Sequence, residues 1–507
     1  MEIHVQLATR TKMFCGCPVE FGAPPNSRVC AVCGGLPGAL PVINRKAVEH
    51  AMRVGMALNC RLARFTKWDR KSYFYPDLPK NYQISQYDLP LASGGRFEMP
   101  GMVSHGQAKT LDRANRPGVN SQPSALSPQS PPTAIRIRRA HLEEDAGKNL
   151  HEGLDHTRVD LNRAGTPLLE IVTEPDLSSA DDAYAFCIEL QRLVRHLGVS
   201  DADMQKGQMR FEPNVNLAIT HEGREYRTPI SEIKNLNSFR AVRDAIAYEI
   251  DRQASAWKAD HDYTLERLGK MNFGWDDVRG VTEFQRGKEE AHDYRYFPDP
   301  DLVPVVLEDE WVEAVRAGLG ELPLARQARY ERTLGLSRGD AETILADRAT
   351  ADLFDAALAT GADAQTLCKQ FLSFWSAEAN RRGTTIAGLG IVAARLAELA
   401  RLVADGSINA TTAALVATKM LEWGQTPREI VEAGGMLQIR DLSAVERWVD
   451  EALAANPKAV ADATTNPKKM QAAIGFLRGQ VMKLSGGKAD PKAVGEMIER
   501  KLRAVSS

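Results

Sequence analysis

Four cysteines lie close together near the N terminus of this 507-residue sequence, and their thiolates could bind a metal ion. They form two close pairs, Cys15 with Cys17 and Cys30 with Cys33, separated by twelve residues. Four thiolates at this spacing can surround a zinc ion tetrahedrally, and such a site is structural because no position stays open for water. Four reduced thiols in a loop are the alternative. The spacing therefore predicts a structural zinc site.

A second set of reactive residues consists of acids and a histidine on segments with strand character. Glu2 and His4 are two residues apart, so their side chains share one face of a strand. Glu143-Glu144-Asp145 follows another such run, and Glu170 interrupts the apolar run Leu168–Thr173, where an unpaired carboxylate is costly. Such acids suit Mg²⁺, which binds a few carboxylates and leaves positions for phosphate oxygens. Salt bridges explain the same acids equally well from spacing alone.

Two further segments, 69–88 and 291–301, combine tyrosines with basic residues, including Lys71 and Lys80. Aromatic rings beside lysines could hold nucleic acid. A polar, partly buried site in which the tyrosine hydroxyls find hydrogen-bond partners is equally plausible.

Common nucleotide-binding signatures are missing from the sequence. There is no G-x-x-x-x-G-K-[ST] motif. The run from Gly388 to Ala393 has the form G-x-G-x-x-A, but it lies in a helical region with no strand before it, so we interpret it as a helix start. Any ATP site is therefore expected to be of a less common type.

The elements that must position these residues change character along the chain. The first 300 residues alternate short β-type runs with Gly/Pro turns, and one clear helix begins after Ser179 and ends at Gly198. From about Leu307 the pattern is helical, and Thr426–Glu429 forms a capping box with proline at the first helical position. The expected fold class is α+β: a mixed α/β body, a helical domain and a small all-helical tail. A polar, Pro/Ser/Gly-rich insertion at about 99–132 is expected to be flexible and to carry no chemistry.

Composition and charge limit the class of protein. Hydrophobic residues make up 43% and charged residues 26%, as in soluble globular proteins. No stretch approaches the ~20 apolar residues of a membrane span. The first residues lack a secretory pattern, so a cytoplasmic location is expected. A net charge of −2 excludes a polycation, but residues 456–503 hold ten Lys/Arg against four acids. This local excess favours a phosphate backbone, and a solvated helical surface is the alternative.

Several long motifs, taken together, resemble the B-subunit family of the tRNA-dependent amidotransferase GatCAB. They cover nearly the whole chain apart from the insertion and occur in the segments Glu2–Leu7, Tyr75–Tyr87, His141–Lys148, Asp160–Glu170, Glu232–Arg240, Lys288–Pro298 and Gly475–Lys483. The resemblance implies a "cradle" domain at 1–300 that holds the kinase and transamidase site, a helical domain at 301–405 and a tRNA-binding, YqeY-like tail at 406–507.

The resemblance also implies a reaction. ATP phosphorylates the side-chain carboxylate of Glu on tRNA(Gln) or Asp on tRNA(Asn), and ammonia from a glutaminase A subunit displaces the phosphate. The implied partners are the A subunit and a small C subunit in a heterotrimer, and the implied cofactors are ATP, Mg²⁺ and structural Zn²⁺. The residues that match functional positions of the family are Glu2, His4, Glu144 and Glu170 for magnesium, Lys71 and Lys80 for the ammonia path, and Gly479, Gln480 and Lys483 for tRNA.

The sequence departs from the family pattern at the N terminus. The family has several residues before the Glu-x-His strand, whereas here that strand begins at Met1. Two explanations stay open: the start codon is misassigned, or the strand is frayed and Glu2 is poorly anchored. Two other function classes stay open: a non-catalytic, zinc-containing tRNA-binding protein, and an amidotransferase for a small-molecule acid. The acid set, with Glu170 in an apolar strand, favours chemistry over binding alone.

Overall fold

The computed structural model describes residues 1–99, 133–150, 155–287, 294–438, 442–465 and 469–506. The predicted insertion lies outside the described residues from position 100 onward. The chain forms two compact units, Met1–Leu324 and Ala325–Ser507. Strands and helices mix in the first unit, and the elements of the second unit, where the structure describes it, are helices. The predicted fold class is thereby confirmed.

Among the described residues, all of the strands and the first five helices lie in the first unit. The strands are β1 Glu2–Gln6, β2 Arg61–Leu62, β3 Phe65–Thr66, β4 Asp69–Ser72, β5 Tyr82–Ser85, β6 Ala92–Met99, β7 Thr133–Glu144, β8 Lys148–Leu150, β9 Arg158–Asp160, β10 Pro167–Thr173, β11 Met209–Glu212, β12 Asn214–Val215, β13 Ala218–His221, β14 Arg224–Arg227, β15 Ile230–Lys234, β16 Lys270–Asp276, β17 Val281–Gly287, β18 Phe297–Pro298 and β19 Val305–Val306. The helices are α1 Arg45–Ala57, α2 Ala180–His196, α3 Phe239–Ala259, α4 Leu265–Leu268 and α5 Asp309–Ala317.

A six-stranded sheet with the order β11-β1-β10-β7-β6-β2 forms the centre of this unit. Strands β1 and β11 alternate apolar and polar residues, so one face of the sheet is buried and the other carries the site. Ile3 and Val5 of β1 point into the apolar core, which also contains residues of α1 and α2. Ser179 caps α2 as predicted, because its side chain accepts a hydrogen bond from the backbone N–H of Asp182.

Strand β1 is anchored on both sides, which contradicts the explanation by fraying. It pairs with β10 from Glu2 to Gln6 and with β11 from Glu2 to Val5. The Met1 ammonium donates to Thr173 Oγ1 at 2.9 Å, and Thr173 N–H donates to Met1 O at 3.0 Å. A terminal strand frays when one edge is free, whereas this strand lies inside the sheet. Glu2 is therefore firmly placed.

Smaller sheets complete the first unit. A four-stranded sheet has the order β12-β15-β16-β17, with a parallel β15–β16 pair, and a three-stranded sheet has the order β18-β4-β5. Helix α3 begins at Phe239 behind Ser238, whose side chain accepts from the N–H of Ala241. Two short strands, β12 and β13, follow each other between Asn214 and His221.

The second unit is helical and has two apolar clusters. Its elements are α6 Pro323–Leu334, α7 Arg338–Ile344, α8 Arg348–Ala359, α9 Ala364–Gln370, a π-helical turn Phe371–Trp375, α10 Ser376–Arg381, a 3₁₀ turn Ala387–Leu389, α11 Ala393–Ala404, α12 Ala410–Glu422, α13 Pro427–Ala433, α14 Leu442–Ala455, α15 Pro457–Thr465, α16 Met470–Leu484 and α17 Pro491–Ser506. One cluster extends from Tyr330 to Val431 and the other from Val445 to Leu502. The capping box at Thr426 is present.

The predicted domain boundaries can be compared with these clusters. Val315 of α5 belongs to the core of the first unit, beyond the predicted boundary at 300. In the second unit the apolar clusters change after Val431, beyond the predicted boundary at 405. The three-domain division stays a prediction. In the described part of the chain, the helices are too short or too polar to span a bilayer.

Candidate functional site

The polar face of the six-stranded sheet brings acids and histidines together from three strands. His4 of β1 lies directly opposite Glu170 of β10, and Glu170 lies opposite His141 of β7. Residues opposite each other in neighbouring strands share a face of the sheet. The buried neighbours Ile3 and Ile171 show that this face is the one turned away from the core. Alternation in the sequence thus positions both histidines beside Glu170.

Glu143 completes a group with His4 and Glu170. One ligand atom from each of the three residues lies within 4.8 Å of the others. His141 Nε2 lies 3.2 Å from Glu143 Oε1 and 3.5 Å from Glu170 Oε2. Ser85 Oγ also donates to Glu143 at 2.7 Å. The group is mostly buried, so its two carboxylates need cations nearby.

A bulge in β7 decides which of two adjacent acids joins this group. Ile135 and Ile137 face the core, but so do Ala140 and Leu142, so the alternation inverts between them. The register between β7 and β10 shifts at the same place. Such a bulge re-aims every later side chain of its strand. Consequently Glu143 faces the site, whereas uninterrupted alternation would have put Glu144 there.

Lys71 of β4 is the cation that most affects this group. Burial alone would raise the pKa of Glu143, but the hydrogen bond to His141 and the charge of Lys71 hold that pKa below its ordinary range. Burial would likewise lower the pKa of Lys71, yet nearby negative groups, Glu143 first among them, raise it above its ordinary value. Lys71 also lies over the Tyr294 ring, 5.0 Å from its centre. Both groups are therefore charged at neutral pH.

A second acid group lies on the same face of the sheet. Glu2, Glu212 of β11 and Glu232 of β15 also offer ligand atoms within 4.8 Å of one another. His4 Nε2 lies 3.8 Å from Glu212 Oε1, so the two groups are neighbours. Lys234 Nζ lies 2.7 Å from Glu212 and 2.9 Å from Glu232. This second group is already neutralised in part by a lysine.

The four residues expected to bind magnesium do not form a single set. His4 and Glu170 lie together, but Glu2 belongs to the neighbouring acid group. Glu144 instead accepts hydrogen bonds from Lys80 Nζ and from the backbone N–H of Ile84. The structure thus does not bring the four residues together as one group, because the β7 bulge turns Glu143 rather than Glu144 toward the site and Glu2 lies beside Glu212 of β11. Their binding of magnesium stays a prediction.

Lys80 and Glu144 form an ion pair next to the acid group. Lys80 follows the Pro76–Pro79 turn, and its Nζ lies 5.3 Å from the centre of the Tyr82 ring. Gln83 connects this pair to the other site, because its Nε2 donates to Glu144 O at 2.8 Å and to Glu143 Oε2 at 3.2 Å. The two predicted lysines therefore act on different acids, because the charge of Lys71 acts on Glu143 and Lys80 pairs with Glu144.

Tyrosines surround the site at its exposed edge. Tyr73 and Tyr75 stack with ring centres 5.5 Å apart, and Tyr87 and Tyr296 stack at 4.1 Å. Burial first of all raises the pKa of Tyr296 to about 12. Tyr75 and Tyr87 are about half exposed. Stacked, accessible rings beside a buried lysine suit a planar or nucleotide ligand.

The four predicted zinc ligands come together in space. Atoms Sγ of Cys15, Cys17, Cys30 and Cys33 lie within 4.8 Å of one another, and Cys33 Sγ lies 3.9 Å from both Cys17 Sγ and Cys30 Sγ. Hydrogen bonds from the Cys15 thiol and the Cys30 N–H, together with the charge of buried Lys12, lower the pKa of Cys33. This cysteine cluster could hold a metal ion.

The predicted tRNA-binding residues lie on α16 of the second unit. Gly479 and Lys483 are exposed and, with Gly475, recur every four residues on one face. A methyl group on either glycine would meet no atom within 4 Å. Packing among the described residues thus does not explain these glycines. Close approach of a ligand backbone to this face of the helix would explain them.

Sequence reasoning missed several residues of the site. Glu143 was adjacent to a predicted residue, and its two-residue spacing from His141 was the available signal. Glu212, Glu232 and Arg210 lay in short strands whose pairing no local pattern specifies. Arg210 lies opposite His4 and 3.0 Å from Asp145 Oδ1.

Comparison with known proteins agrees with the fold. Residues 1–313 match the GatB/GatE catalytic domain, and residues 352–502 match the GatB domain of the YqeY type. A protein of Rhodopirellula baltica is 43% identical over 502 residues, which cover 98% of this chain and 95% of that protein. Proteins of Geotalea daltonii and Moorella thermoacetica are 43% and 42% identical and each covers 99% of this chain and 98% of its own length. All three are named as the B subunit of an aspartyl/glutamyl-tRNA(Asn/Gln) amidotransferase. The resemblance inferred from the motifs is confirmed, and the chain belongs to the GatB/GatE family of amidotransferase B subunits.

Proposed function

We propose that this chain forms amides on misacylated tRNA, Glu-tRNA(Gln) and Asp-tRNA(Asn), in an ATP-dependent reaction. The names of its relatives support this activity. The observation that carries it is the buried group of His4, Glu143 and Glu170 beside Lys71, because a binding protein has no need of costly carboxylates in a sheet interior.

The chemistry explains why such a group is needed. A carboxylate is a poor electrophile, so its oxygen first attacks the γ-phosphorus of ATP, which gives an acyl phosphate and releases ADP. Ammonia then attacks the acyl carbon, phosphate leaves, and a proton passes to a nearby base. Both steps bring negatively charged phosphate and carboxylate oxygens together. A site that contained only acidic side chains would repel these oxygens, so cations are needed.

The residues of the first acid group fit a magnesium ion. They offer one imidazole nitrogen and two carboxylates within 4.8 Å, and His4 Nδ1 is buried without a hydrogen-bond partner in the described part of the chain. Bound there, Mg²⁺ would offset the charge of the ATP phosphates. Glu2, Glu212 and Glu232 are neighbouring acids that would add to the negative electrostatic potential around the ion.

Three cations of this chain would hold the phosphoryl oxygens. Lys71 lies among the carboxylates, Arg210 lies opposite His4 on β11, and Lys234 contacts Glu212. The charge of Asp145 raises the pKa of Arg210, which stays charged at any pH of interest. Fixed positive groups beside a reacting phosphate stabilise the charge that develops in the transition state.

Lys80 and Glu144 suit a role on the path of ammonia. Their buried ion pair lies one residue from the acid group and is joined to it through Gln83. Ammonium must lose a proton before it attacks, and the carboxylate of Glu144 can accept one. The stacked tyrosines would border the opening through which the aminoacyl end of tRNA enters.

Zinc fits the cysteine cluster geometrically. Four Zn–S bonds of ~2.3 Å in a tetrahedron separate the sulfurs by about 3.8 Å, close to the distances found for Cys33. With four thiolates and no open position, this zinc would be structural.

Glutaminase and small subunits, named A and C in this family, would complete a cytoplasmic heterotrimer. Gly479, Gln480 and Lys483 of this chain would contact tRNA.

Reconstitution with A and C subunits, charged tRNA, glutamine and ATP-Mg²⁺ tests the proposal. We expect phosphate release that depends on misacylated tRNA, and loss of amide formation by at least ~100-fold in Glu170→Gln. The exposed Glu98→Gln variant is the matched control. Binding of tRNA without phosphate release would support a binding protein instead, and amidation of free glutamate would support a small-molecule enzyme.

A further inference from the structure

The cysteine loop packs directly against Lys80. Gly35 follows Cys33 by two residues and has a φ of +71°. A methyl group at its Cβ position would lie 2.9 Å from Lys80 Cγ and 3.0 Å from both Lys80 N and Lys80 Cα. Backbone atoms cannot swing aside as the end of a flexible side chain can. Gly35 therefore packs tightly against the backbone of Lys80, the residue that pairs with Glu144.

A buried lysine makes a second connection from the cysteine cluster. Lys12 is only 1% exposed, and its Nζ donates to Cys33 Sγ at 3.5 Å and to Leu161 O at 3.2 Å. Leu161 begins the loop that leads through Gly165 into β10. The Cβ position of Gly165 is 3.5 Å from atoms of both Cys33 and Lys12 and 3.8 Å from Glu144 Oε2. The cluster is thus connected to Lys80 through Gly35 and to Glu144 through Gly165.

The loop itself buries few apolar side chains, and hydrogen bonds anchor its middle to residues 159–162, for example from Arg28 N–H to Asn162 Oδ1 at 2.8 Å and from Asn26 Nδ2 to Val159 O at 3.0 Å. Between the two cysteine pairs its residues are mainly exposed or half exposed, and Cys33 is its buried member. The turn at the second cysteine pair contains the backbone bonds Gly34 N–H to Cys30 O at 2.8 Å, Gly35 N–H to Val32 O at 3.1 Å and Leu36 N–H to Ala31 O at 2.9 Å. A metal ion that joins four thiolates would fix this turn, because small loops without a core depend on such crosslinks.

We propose that the metal-loaded cysteine cluster positions Lys80 against Glu144, with Gly35 and Lys12 as positioning residues. The proposal rests on the proposed function, which gives the Lys80–Glu144 pair its place on the ammonia path. It assigns the cluster a part in the reaction beyond general stability, although no cysteine touches a reacting atom.

A pair of glycine variants tests the contact with Lys80. Gly35→Ala is compared with Gly38→Ala, which lies in the same loop at a φ of +83° but whose Cβ position has no atom within 4 Å. Both variants carry similar backbone strain, and the first alone presses on Lys80. In the reconstituted complex we expect Gly35→Ala to lower amide formation by ~10–100-fold with one zinc per chain retained. We expect Gly38→Ala to stay near wild type. Equal losses in both variants would overturn the proposal.

A double variant shows whether Gly35 acts through Lys80. Adding Gly35→Ala to Lys80→Met should lower the rate no further, because residues that act through each other are not additive. Multiplied losses would mean a general effect on stability. If Lys80→Met alone keeps full activity, the proposed ammonia path fails, and amide hydrogen exchange then decides the positioning. Residues 78–84 should exchange faster in Gly35→Ala and in chelator-treated wild type, and unchanged exchange would overturn the proposal.

Lys12→Met tests the second connection with a readout of the metal itself. Removing a group that contacts a ligating thiolate usually lowers metal affinity by ~10–100-fold. We therefore expect faster transfer of zinc to a coloured chelator from the full complex, together with faster exchange at residues 161–166. Wild-type retention of zinc and unchanged exchange would remove Lys12 from the proposal.

Discussion

The two adjacent acids of β7 should have different functions, and substituting each by glutamine separates them. Glu143 faces His4 and Glu170, whereas Glu144 pairs with Lys80. Glutamine keeps the size of the side chain and one acceptor oxygen but removes the charge. We therefore expect Glu143→Gln to affect the magnesium requirement and Glu144→Gln to affect the use of ammonia.

The size of the effect follows from the contacts of Glu143. Ser85 Oγ donates to one of its oxygens at 2.7 Å and Gln83 Nε2 to the other at 3.2 Å. A hydrogen bond to a charged group contributes about 1.5–3 kcal/mol, and the amide NH₂ of glutamine would face one of these donors. Loss of one anionic ligand costs a similar amount. Because about 1.4 kcal/mol is tenfold, the magnesium concentration for half-maximal activity should rise by ~10–100-fold.

Phosphate release dependent on misacylated tRNA, titrated with Mg²⁺, measures this effect. Glu144→Gln should change the magnesium concentration at half-maximal activity by less than about threefold. This factor corresponds to a smaller free energy than a hydrogen bond to a charged group contributes. Glu144→Gln should instead lower the amide formed per ATP consumed when glutamine supplies the ammonia. Equal shifts of the magnesium concentration at half-maximal activity in both variants, or a larger one in Glu144→Gln, would refute the assignment of Glu143 to the magnesium group.

Three further predictions concern other parts of the chain. Lys234 and Lys270 outweigh burial and hold the pKa of Glu232 below its ordinary 4.5, so this carboxylate stabilises the fold above about pH 4.5 and less as pH falls below it. Glu232→Gln should thus lower the free energy of unfolding by about 2 kcal/mol at pH 7, with the difference shrinking below pH 4.5 in denaturant titrations. Cys33→Ser should reduce bound zinc, measured by atomic absorption, and lower the melting temperature; full zinc content would contradict the cluster. Lys483→Ala should weaken tRNA binding similarly for all tRNAs and reduce the slope of log affinity against log salt by about one; an unchanged slope would exclude a phosphate contact.

The sequence predicted those features of the site that depend on local patterns. Spacing brought Cys15 and Cys17 together with Cys30 and Cys33, because ligand pairs in short turns need no long-range information. The two-residue period placed Glu2 and His4 on one face. Ser179 and Thr426 were found as helix caps because a cap depends on three neighbouring residues.

The errors arose where the fold depends on distant pairing. The bulge that turns Glu143 toward the site appears only when β7 is aligned with β10, since Ile137 and Arg139 alone give no sign of it. The firmness of Glu2 depends on β11, which lies more than 200 residues away in the chain. Arg210 and Glu232 join the site for the same reason, because the order and pairing of the strands make them neighbours, although Glu232 begins one of the family motifs.

The core on the opposite face of the sheet fixes the geometry of the site. If β1 slipped by one residue, Ile3 and Val5 would turn to the polar side and His4 to the core. Exposing these two fully buried side chains would cost about 3–6 kcal/mol, before the burial of charged groups is counted. Fewer than about one molecule in a hundred would therefore contain the slipped strand. The positions of His4, Glu170 and Glu143 are therefore determined by apolar neighbours that touch no substrate, and Ile3→Thr should impair magnesium-dependent activity although residue 3 faces away from the site.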